Sequence, residues 1–108
     1  TDTPARLDLI QLGLGDDGHT ASLVPGDPVL DATDDLAVTA EYKGTRRLTM
    51  TAPLLNRAHE RLFLVTGANK DDALGRLAEG DPEIPGSLIT TDGTFLVTDR
   101  RIPGLSYD

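Results

Sequence analysis

The stretch Leu7-Asp-Leu-Ile-Gln-Leu-Gly-Leu-Gly-Asp-Asp-Gly-His19 joins a short apolar run to a loop that contains three glycines and ends in a histidine. The run over residues 7–12 is typical of a strand buried in a parallel sheet. Glycines let the backbone of a loop take positive φ values and approach a ligand closely. Histidine is the side chain that most readily exchanges a proton near neutral pH. The sequence therefore predicts a strand that ends in a candidate active-site loop.

Downstream of this loop, segments with the hydrophobic pattern of a strand alternate with segments that have the pattern of a helix. Alternating polar and apolar residues predict neighbouring strands over 36–42 and 47–51, and a continuous apolar run predicts a buried strand over 61–66. Apolar residues at helical spacing predict a short helix that begins near Thr51 and a longer helix over 69–79. Strands that alternate with helices indicate the α/β class, here a three-layer sandwich around a mostly parallel sheet.

The segments that join these elements are rich in glycine, proline and aspartate. We predict a short helical turn over 19–23, with Asp17 as its N-cap, and a surface loop over 25–35. The last apolar segments of the chain, on either side of an Asp-Gly turn, are 87–90 and 95–98.

Ligands of open parallel sheets bind at the carboxyl ends of the strands, and two loops of this chain follow strands there. The first loop holds Gly13, Gly15, Gly18 and His19, and the second holds Lys70. We therefore expect Lys70 to face the same crevice as His19, unless it is simply an exposed lysine at a helix start. The glycines also have two interpretations: the turn requires them, or they bring free N–H groups of residues 15–18 to a bound anion.

The chemical roles of the remaining side chains stay open at this level. His19 is either a general base or a buried histidine bonded to a loop carbonyl. Asp17, two residues earlier, either caps the predicted helical turn or holds the imidazole in place. Arg46 and Arg47 lie on opposite faces of a strand, so only one of them can reach a bound phosphate.

The composition of the 108 residues is that of a globular protein and argues against several functions. Hydrophobic residues make up 38% and charged residues 26%, and no apolar run is long enough to span a bilayer. The net charge of −8, from 10 basic and 18 acidic residues, argues against binding to nucleic acid or to anionic membranes. A small anionic substrate is still compatible, because salt screens exposed charges beyond about 8 Å.

The chain contains no cysteine and only two histidines, which excludes a disulfide framework and argues against a zinc site. We therefore predict no metal, no cofactor and a cytoplasmic location. The chain begins with Thr1 rather than with methionine, which predicts either a processed start or a piece of a longer protein.

The glycine loop and its flanks carry a family likeness. The stretch Leu12-Gly-Leu-Gly-Asp-Asp-Gly-His-Thr-Ala-Ser-Leu-Val-Pro25 resembles the 6-phosphogluconolactonase signature Leu-Gly-x-Gly-x-Asp-Gly-His-Thr-Ala-Ser-Leu-Phe-Pro, with Val24 where phenylalanine is usual. Segments similar to later parts of that family follow in the family's order, at 47–56, 62–70 and 85–89. The related amino-sugar phosphate isomerase/deaminases typically continue after the histidine with Ile-Ala-Phe-Asn-Glu instead of Thr-Ala-Ser-Leu.

This resemblance implies a fold for the chain and the part of the family's domain to which the chain corresponds. Residues 1–108 look like the carboxyl-terminal portion of a single NagB-like, Rossmann-like domain of the glucosamine/galactosamine-6-phosphate isomerase superfamily. Members of the family are much longer than this chain and carry a phosphate-binding loop in their amino-terminal half. The chain is therefore expected to contact such a half or to self-associate through its unprotected sheet.

The resemblance also implies an activity for the intact protein. It implies hydrolysis of 6-phosphogluconolactone, a small phosphorylated sugar lactone of the oxidative pentose phosphate pathway, with His19 as general base and Asp17 beside it. It favours Arg47 over Arg46 as the substrate-binding arginine. Two alternatives stay open: an amino-sugar-phosphate isomerase/deaminase, and a fragment that binds sugar phosphate without catalysis.

Overall fold

The computed structural model describes residues 4–104. Within this range the strands are β1 (Leu9–Leu12), β2 (Leu36–Val38), β3 (Leu48–Met50), β4 (Glu60–Val65) and β5 (Thr94–Thr98). The α-helices are α1 (Ala52–Arg57) and α2 (Asp71–Glu79), and short 3₁₀-helices lie at Pro28–Asp31, Ala68–Lys70 and Pro85–Leu88. No helix within residues 4–104 is long and apolar enough to cross a membrane.

Three strands form a parallel sheet in the order β1-β4-β5. The register places Leu12 beside Phe63 and Phe63 beside Leu96. The other two strands, β2 and β3, form a separate antiparallel hairpin. The predicted α/β class with a parallel sheet is confirmed. The strands predicted as neighbours over 36–42 and 47–51 also pair, as β2 and β3 of the hairpin.

One face of the parallel sheet carries the core of the described residues. Apolar side chains of β1 and β4 pack there against Leu55 of α1 and Leu74 of α2. Full burial of an aliphatic or aromatic side chain contributes about 1.5–3 kcal/mol, so this face anchors both helices. The opposite face exposes large apolar side chains, namely Leu9, Leu64, Phe95 and Val97. The expected contact of the sheet with another layer or a second copy stays a prediction.

A buried arginine ties the amino-terminal edge of the sheet together. Arg61 of β4 is 2% exposed and donates hydrogen bonds to the carbonyls of Leu55 and Ala58 at the end of α1. It also donates to Thr94 Oγ1 at 2.8 Å and to the carbonyl of Asp92 at 2.7 Å. The carbonyls at the end of a helix carry partial negative charge, so they stabilise a buried guanidinium. The edge with these contacts lies opposite the loop that holds His19.

The predicted helical turn over 19–23 is wrong. Thr20 and Leu23 instead exchange backbone hydrogen bonds across a tight turn, in which Ala21 has a φ of 50°. A right-handed helix cannot contain a residue with that φ value. Asp17 consequently caps no helix, and its carboxylate is available to a different partner.

The predicted surface loop over 25–35 contains a local helix that the sequence analysis missed. Asp27 is the N-cap of the 3₁₀-helix at Pro28–Asp31 and accepts a hydrogen bond from the N–H of Val29 at 2.9 Å. The same carboxylate accepts from the N–H of Ala40 at 3.1 Å. This buried aspartate therefore fixes the segment after β2 to the loop that precedes it.

Candidate active site

The loop that follows β1 closes on itself through its own backbone. The N–H of Gly15 donates to the carbonyl of His19 at 2.8 Å, and the N–H of Gly18 donates to the carbonyl of Gly15 at 2.9 Å. These bonds hold His19 at the carboxyl end of the strand. They also use the N–H groups of Gly15 and Gly18, so at these two positions the bonds agree with the interpretation that the turn itself requires the glycines.

His19 is paired with Asp17. The Asp17 Oδ1 atom lies 2.6 Å from Nδ1 of His19 and also accepts from the backbone N–H of His19 at 3.0 Å. A carboxylate can only accept, so the neutral imidazole carries its proton on Nδ1 and leaves the lone pair on Nε2. The His19 side chain is 39% exposed and that of Asp17 is 37% exposed, so the pair is accessible to a ligand.

The surroundings of Asp17 keep its carboxyl group ionised. Burial is the largest single effect and raises the pKa. The hydrogen bonds from the backbone and ring of His19, together with the attraction of its positive form, outweigh burial and lower the pKa below its ordinary value of 3.8. At neutral pH the Asp17 carboxylate is therefore an acceptor for a hydrogen bond from the ring of His19.

The three loop glycines differ in what they permit. A Cβ atom on Gly15 would lie 2.1 Å from His19 Nδ1 and 2.8 Å from Asp17 Oδ1, so only glycine leaves room for the pair. Gly18 has a φ of 88°, and a Cβ there would lie 2.4 Å from Ile84. A Cβ on Gly13 would meet nothing within 4 Å. The loop geometry therefore requires glycine at positions 15 and 18, whereas the surface above Gly13 is open.

Two hydroxyl groups connect the loop over residues 13–22, which we name the histidine loop, to its surroundings. The buried hydroxyl of Thr20 donates to the carbonyl of Gly13 at 2.8 Å. The N–H of Ser22 donates to Thr49 Oγ1 on β3 at 3.1 Å. This second bond links the histidine loop to the hairpin, so it brings residues that lie far away in sequence next to His19.

Two clefts meet at His19. The first, which we name the hairpin cleft, has a volume of about 210 Å³ and is lined by Asp16, His19, Ala21, Ser22, Val24, Thr39, Tyr42, Lys43 and Arg47. The second, the glycine cleft, has a volume of about 360 Å³ and is lined by Gly13, Leu14, Gly15, His19, Thr20, Ala21 and Lys70. The structure therefore brings Arg47 and Lys70 to His19 from two sides.

Arg46, the neighbour of Arg47, does not line either cleft. Sequence reasoning missed Thr39, Tyr42 and Lys43 as members of the site. Lys43 and Gly44 lie between the strands predicted over 36–42 and 47–51, but no local signal shows that the hairpin folds over the histidine loop.

A larger groove lies at the opposite, amino-terminal edge of the sheet. Its volume is about 720 Å³, and Arg57, His59 and Arg61 are among the residues that line it. The guanidinium of Arg57 pairs with Asp35 at 2.6 Å, and the guanidinium of Arg61 donates hydrogen bonds to backbone carbonyls. In open α/β sheets the ligand site lies at the carboxyl ends of the strands, which favours the clefts at His19.

No group of three or more His, Cys, Asp or Glu side chains within residues 4–104 could together hold a metal ion.

Comparison with known proteins identifies the family of the chain. Residues 2–97 match the family described as glucosamine-6-phosphate isomerases/6-phosphogluconolactonase. The chain belongs to this family. The 6-phosphogluconolactonase of Synechocystis sp. is 49% identical to the chain in an alignment that covers 82% of the chain and 38% of the relative. This confirms the resemblance found in the glycine loop.

Solved structures of the glucosamine-6-phosphate isomerase/6-phosphogluconolactonase family share the fold. The crystal structure of 6-phosphogluconolactonase from Thermotoga maritima superposes with a TM-score of 0.74 at 26% identity, over 91% of this chain and 44% of that chain. A monomeric glucosamine-6-phosphate deaminase superposes with a TM-score of 0.70 at 22% identity, over 85% of this chain and 45% of that chain, and shows the fold alone. The chain spans less than half of these relatives.

Proposed function

We propose that the protein carrying this chain hydrolyses 6-phosphogluconolactone to 6-phosphogluconate, a step of the oxidative pentose phosphate pathway, and that His19 is its general base. The observation that carries the proposal is the paired His19 and Asp17 at the junction of two clefts, each with a cationic side chain. The names of the relatives support the choice of reaction, since the relative from Synechocystis sp. is itself named a 6-phosphogluconolactonase.

The reaction needs one proton to leave a water and one to reach the leaving oxygen. Nε2 of His19 accepts a proton from a water as the water oxygen bonds to the lactone carbonyl carbon. The carbonyl oxygen takes the electron pair and becomes an oxyanion. When the carbonyl re-forms, the bond to the ring oxygen breaks, and the imidazolium returns its proton to that oxygen. The products are a carboxylic acid, which ionises, and a free hydroxyl group, so atoms and charge balance.

Asp17 acts through His19 in this scheme and is a positioning residue. Its carboxylate holds the proton on Nδ1, which leaves Nε2 as the basic nitrogen. It also stabilises the imidazolium that forms during attack, because opposite charges within hydrogen-bond distance favour each other.

Three further residues are proposed to bind the substrate. Arg47 and Lys70 each line one of the two clefts that meet at His19, and they supply cations for an anionic substrate. The open surface above Gly13 lets a sugar ring approach the backbone closely. The predicted position of residues 1–108 as the carboxyl-terminal portion of one domain also stays a proposal.

The activity is tested with the protein at its natural length, by two assays on one preparation. We expect acid release from 6-phosphogluconolactone above the spontaneous rate, and no ammonia release from glucosamine 6-phosphate. The second assay is needed because the family description includes the isomerases. Ammonia release without acid release would replace the lactonase by the deaminase. Binding of 6-phosphogluconate with neither reaction would leave a sugar-phosphate binding protein.

The role of Asp17 is tested by Asp17→Asn. A neutral amide offers Nδ1 either an oxygen or an N–H, so it no longer selects one tautomer, and it carries no charge to stabilise the imidazolium. We expect kcat to fall by at least about tenfold, and by less than the roughly 10⁴-fold loss seen for a fully buried aspartate–histidine pair. KM should not change, because Asp17 does not line either cleft.

The matched control is Asp16→Asn, which removes the same charge from an exposed side chain one residue away. Because Asp16 lines the hairpin cleft, the two variants are compared by kcat and not by KM. Asp16→Asn should leave kcat unchanged. Equal losses of kcat in both variants would contradict a specific role for Asp17.

A further inference from the structure

The turn that carries Lys70 lies between β4 and α2 and is a 3₁₀-helix of three residues, Ala68–Lys70. Lys70 is its last residue, and the backbone N–H of Lys70 donates to the carbonyl of Gly67 at 3.1 Å. A turn this short has few hydrogen bonds of its own, so contacts from other segments fix its position. Because Lys70 lines the glycine cleft beside His19, the position of the turn decides where the ammonium group lies in the site.

The first contact from another segment comes from Asp99, which directly follows β5. The strands β4 and β5 are parallel neighbours, with Val65 beside Thr98, so the loops that follow them lie side by side. Asp99 Oδ1 accepts a hydrogen bond from the backbone N–H of Gly67 at 3.0 Å. Gly67 has a φ of 102°, a value that residues with a side chain rarely adopt, so the start of the turn depends on glycine. Asp99 therefore fixes the start of the turn.

The second contact comes from the next residue, Arg100. Its Nε and Nη2 atoms donate to the two carboxylate oxygens of Asp71 at 2.8 and 3.0 Å. Such a bidentate pair combines charge with a fixed geometry. The hydrogen bonds from Arg100 lower the pKa of the Asp71 carboxyl below its ordinary value of 3.8, so the pair is ionic at neutral pH. Asp71 directly follows Lys70 and begins α2, so Arg100 fixes the end of the turn.

These contacts hold Lys70 by its backbone and leave its side chain available. The carboxylate of Asp71, its neighbour in sequence, is occupied by Arg100. In the part of the chain that the structure describes, no carboxylate forms an ion pair with the Lys70 ammonium group. An ammonium group without a carboxylate partner can bind an anionic substrate without first breaking an ion pair.

We infer that Asp99 and Arg100 are positioning residues for Lys70, because together they fix both ends of the turn that holds this lysine at the glycine cleft. The inference rests on the proposed function, in which Lys70 binds the substrate. Neither Asp99 nor Arg100 lines either cleft, so both act through the turn. A binding group that is correctly placed for only a fraction of the time weakens the apparent affinity by that fraction, so fixing the turn lowers KM.

The test is steady-state kinetics on 6-phosphogluconolactone for Asp99→Ala, Arg100→Met and Lys70→Met in the natural-length protein. Each of the first two variants releases one end of the turn. Their KM should rise about threefold to tenfold, as expected if Lys70 is correctly placed in roughly a third to a tenth of the molecules. Their kcat should not change, because His19 and Asp17 lie in a different loop.

Two matched controls separate positioning from a loss of stability. Arg76→Met breaks an arginine–aspartate pair at the other end of α2, where Nε of a similarly exposed Arg76 lies 2.7 Å from Asp81. It should lower the unfolding temperature by about as little as Arg100→Met does and leave KM unchanged. Asp99→Asn keeps an oxygen acceptor for the N–H of Gly67, so it should keep KM near the wild-type value.

A double-mutant cycle establishes whether the effect passes through Lys70. If Arg100 acts only by placing Lys70, the double variant Arg100→Met/Lys70→Met should have the same KM as Lys70→Met alone. Additive rises in KM in the double variant would overturn the inference. An equal rise in Arg76→Met would also overturn it, as would wild-type KM in both Asp99→Ala and Arg100→Met.

Amide hydrogen exchange distinguishes this inference from the proposed function, because it needs no activity. The peptide that contains residues 67–70 should exchange faster in Asp99→Ala and Arg100→Met than in the wild type or in Arg76→Met, since the turn loses an anchor. Faster exchange in a protein that does not hydrolyse the lactone would support the positioning of Lys70 while the proposed activity fails. Unchanged exchange in an active enzyme would contradict the inference and leave the activity standing.

Discussion

Replacing His19 with alanine should lower kcat for 6-phosphogluconolactone by about 10²- to 10⁴-fold in the natural-length protein, which is the usual contribution of a positioned acid–base group. The variant removes the group that accepts the proton from water and that returns it to the leaving ring oxygen. The fold should persist, because the His19 side chain is 39% exposed and its side-chain partner among residues 4–104 is Asp17. Steady-state kinetics and thermal unfolding of the same preparation measure the two effects.

The chain offers a matched control for this experiment in its second histidine. His59 is exposed and follows α1 at the opposite edge of the sheet. His59→Ala should therefore leave kcat unchanged. A His19→Ala variant with near-wild-type turnover would remove His19 from the mechanism and leave the water without a base from this part of the chain.

The second large effect is expected from Gly15→Ala, which adds a single methyl group. The new Cβ would lie 2.1 Å from His19 Nδ1, a separation that atoms do not tolerate, so the ring must leave its place beside Asp17. We expect kcat to fall by about as much as in His19→Ala, within 10²- to 10⁴-fold. Stability should change little, because the clashing atoms belong to half-exposed side chains that can rotate outward.

Gly13→Ala is the control for Gly15→Ala, since a Cβ there meets no protein atom within 4 Å. It should preserve both stability and kcat. A rise in KM in this variant would support the proposed contact of the substrate with the backbone above Gly13. Wild-type kcat in Gly15→Ala, with a normal fold, would contradict the need for the observed geometry of His19 and Asp17.

The elements that the sequence predicted well are those with a strong local pattern. The apolar run near 61–66 became β4, and the helical spacing over 69–79 became a 3₁₀-turn followed by α2. The short helix after Thr51 formed as α1, with Leu54 and Leu55 buried as its spacing predicts. Burial of apolar side chains stabilises each of these elements, and the spacing of apolar residues in the sequence predicts which side chains are buried.

The predictions that failed concern short polar segments, in which several hydrogen-bond partners compete. Of the two alternatives for Asp17, the N-cap does not form, and its carboxylate pairs with the backbone and ring of His19. One of the two interpretations brought the N–H groups of Gly15 and Gly18 to a bound anion, but these groups donate to loop carbonyls. In such segments the free-energy differences between partners are small, so packing of the surrounding chain decides among them.

The amino-acid sequence by itself determined the family, the parallel α/β arrangement and the loop in which His19 lies, because these depend on local hydrophobic order and on a contiguous motif. Only the tertiary structure decided which residues complete the site. The bond from Ser22 to Thr49 fixes the hairpin to the histidine loop across 27 residues of chain and brings Lys43 into the cleft. Contacts between distant segments depend on how both segments pack, and neither segment's own sequence carries that information.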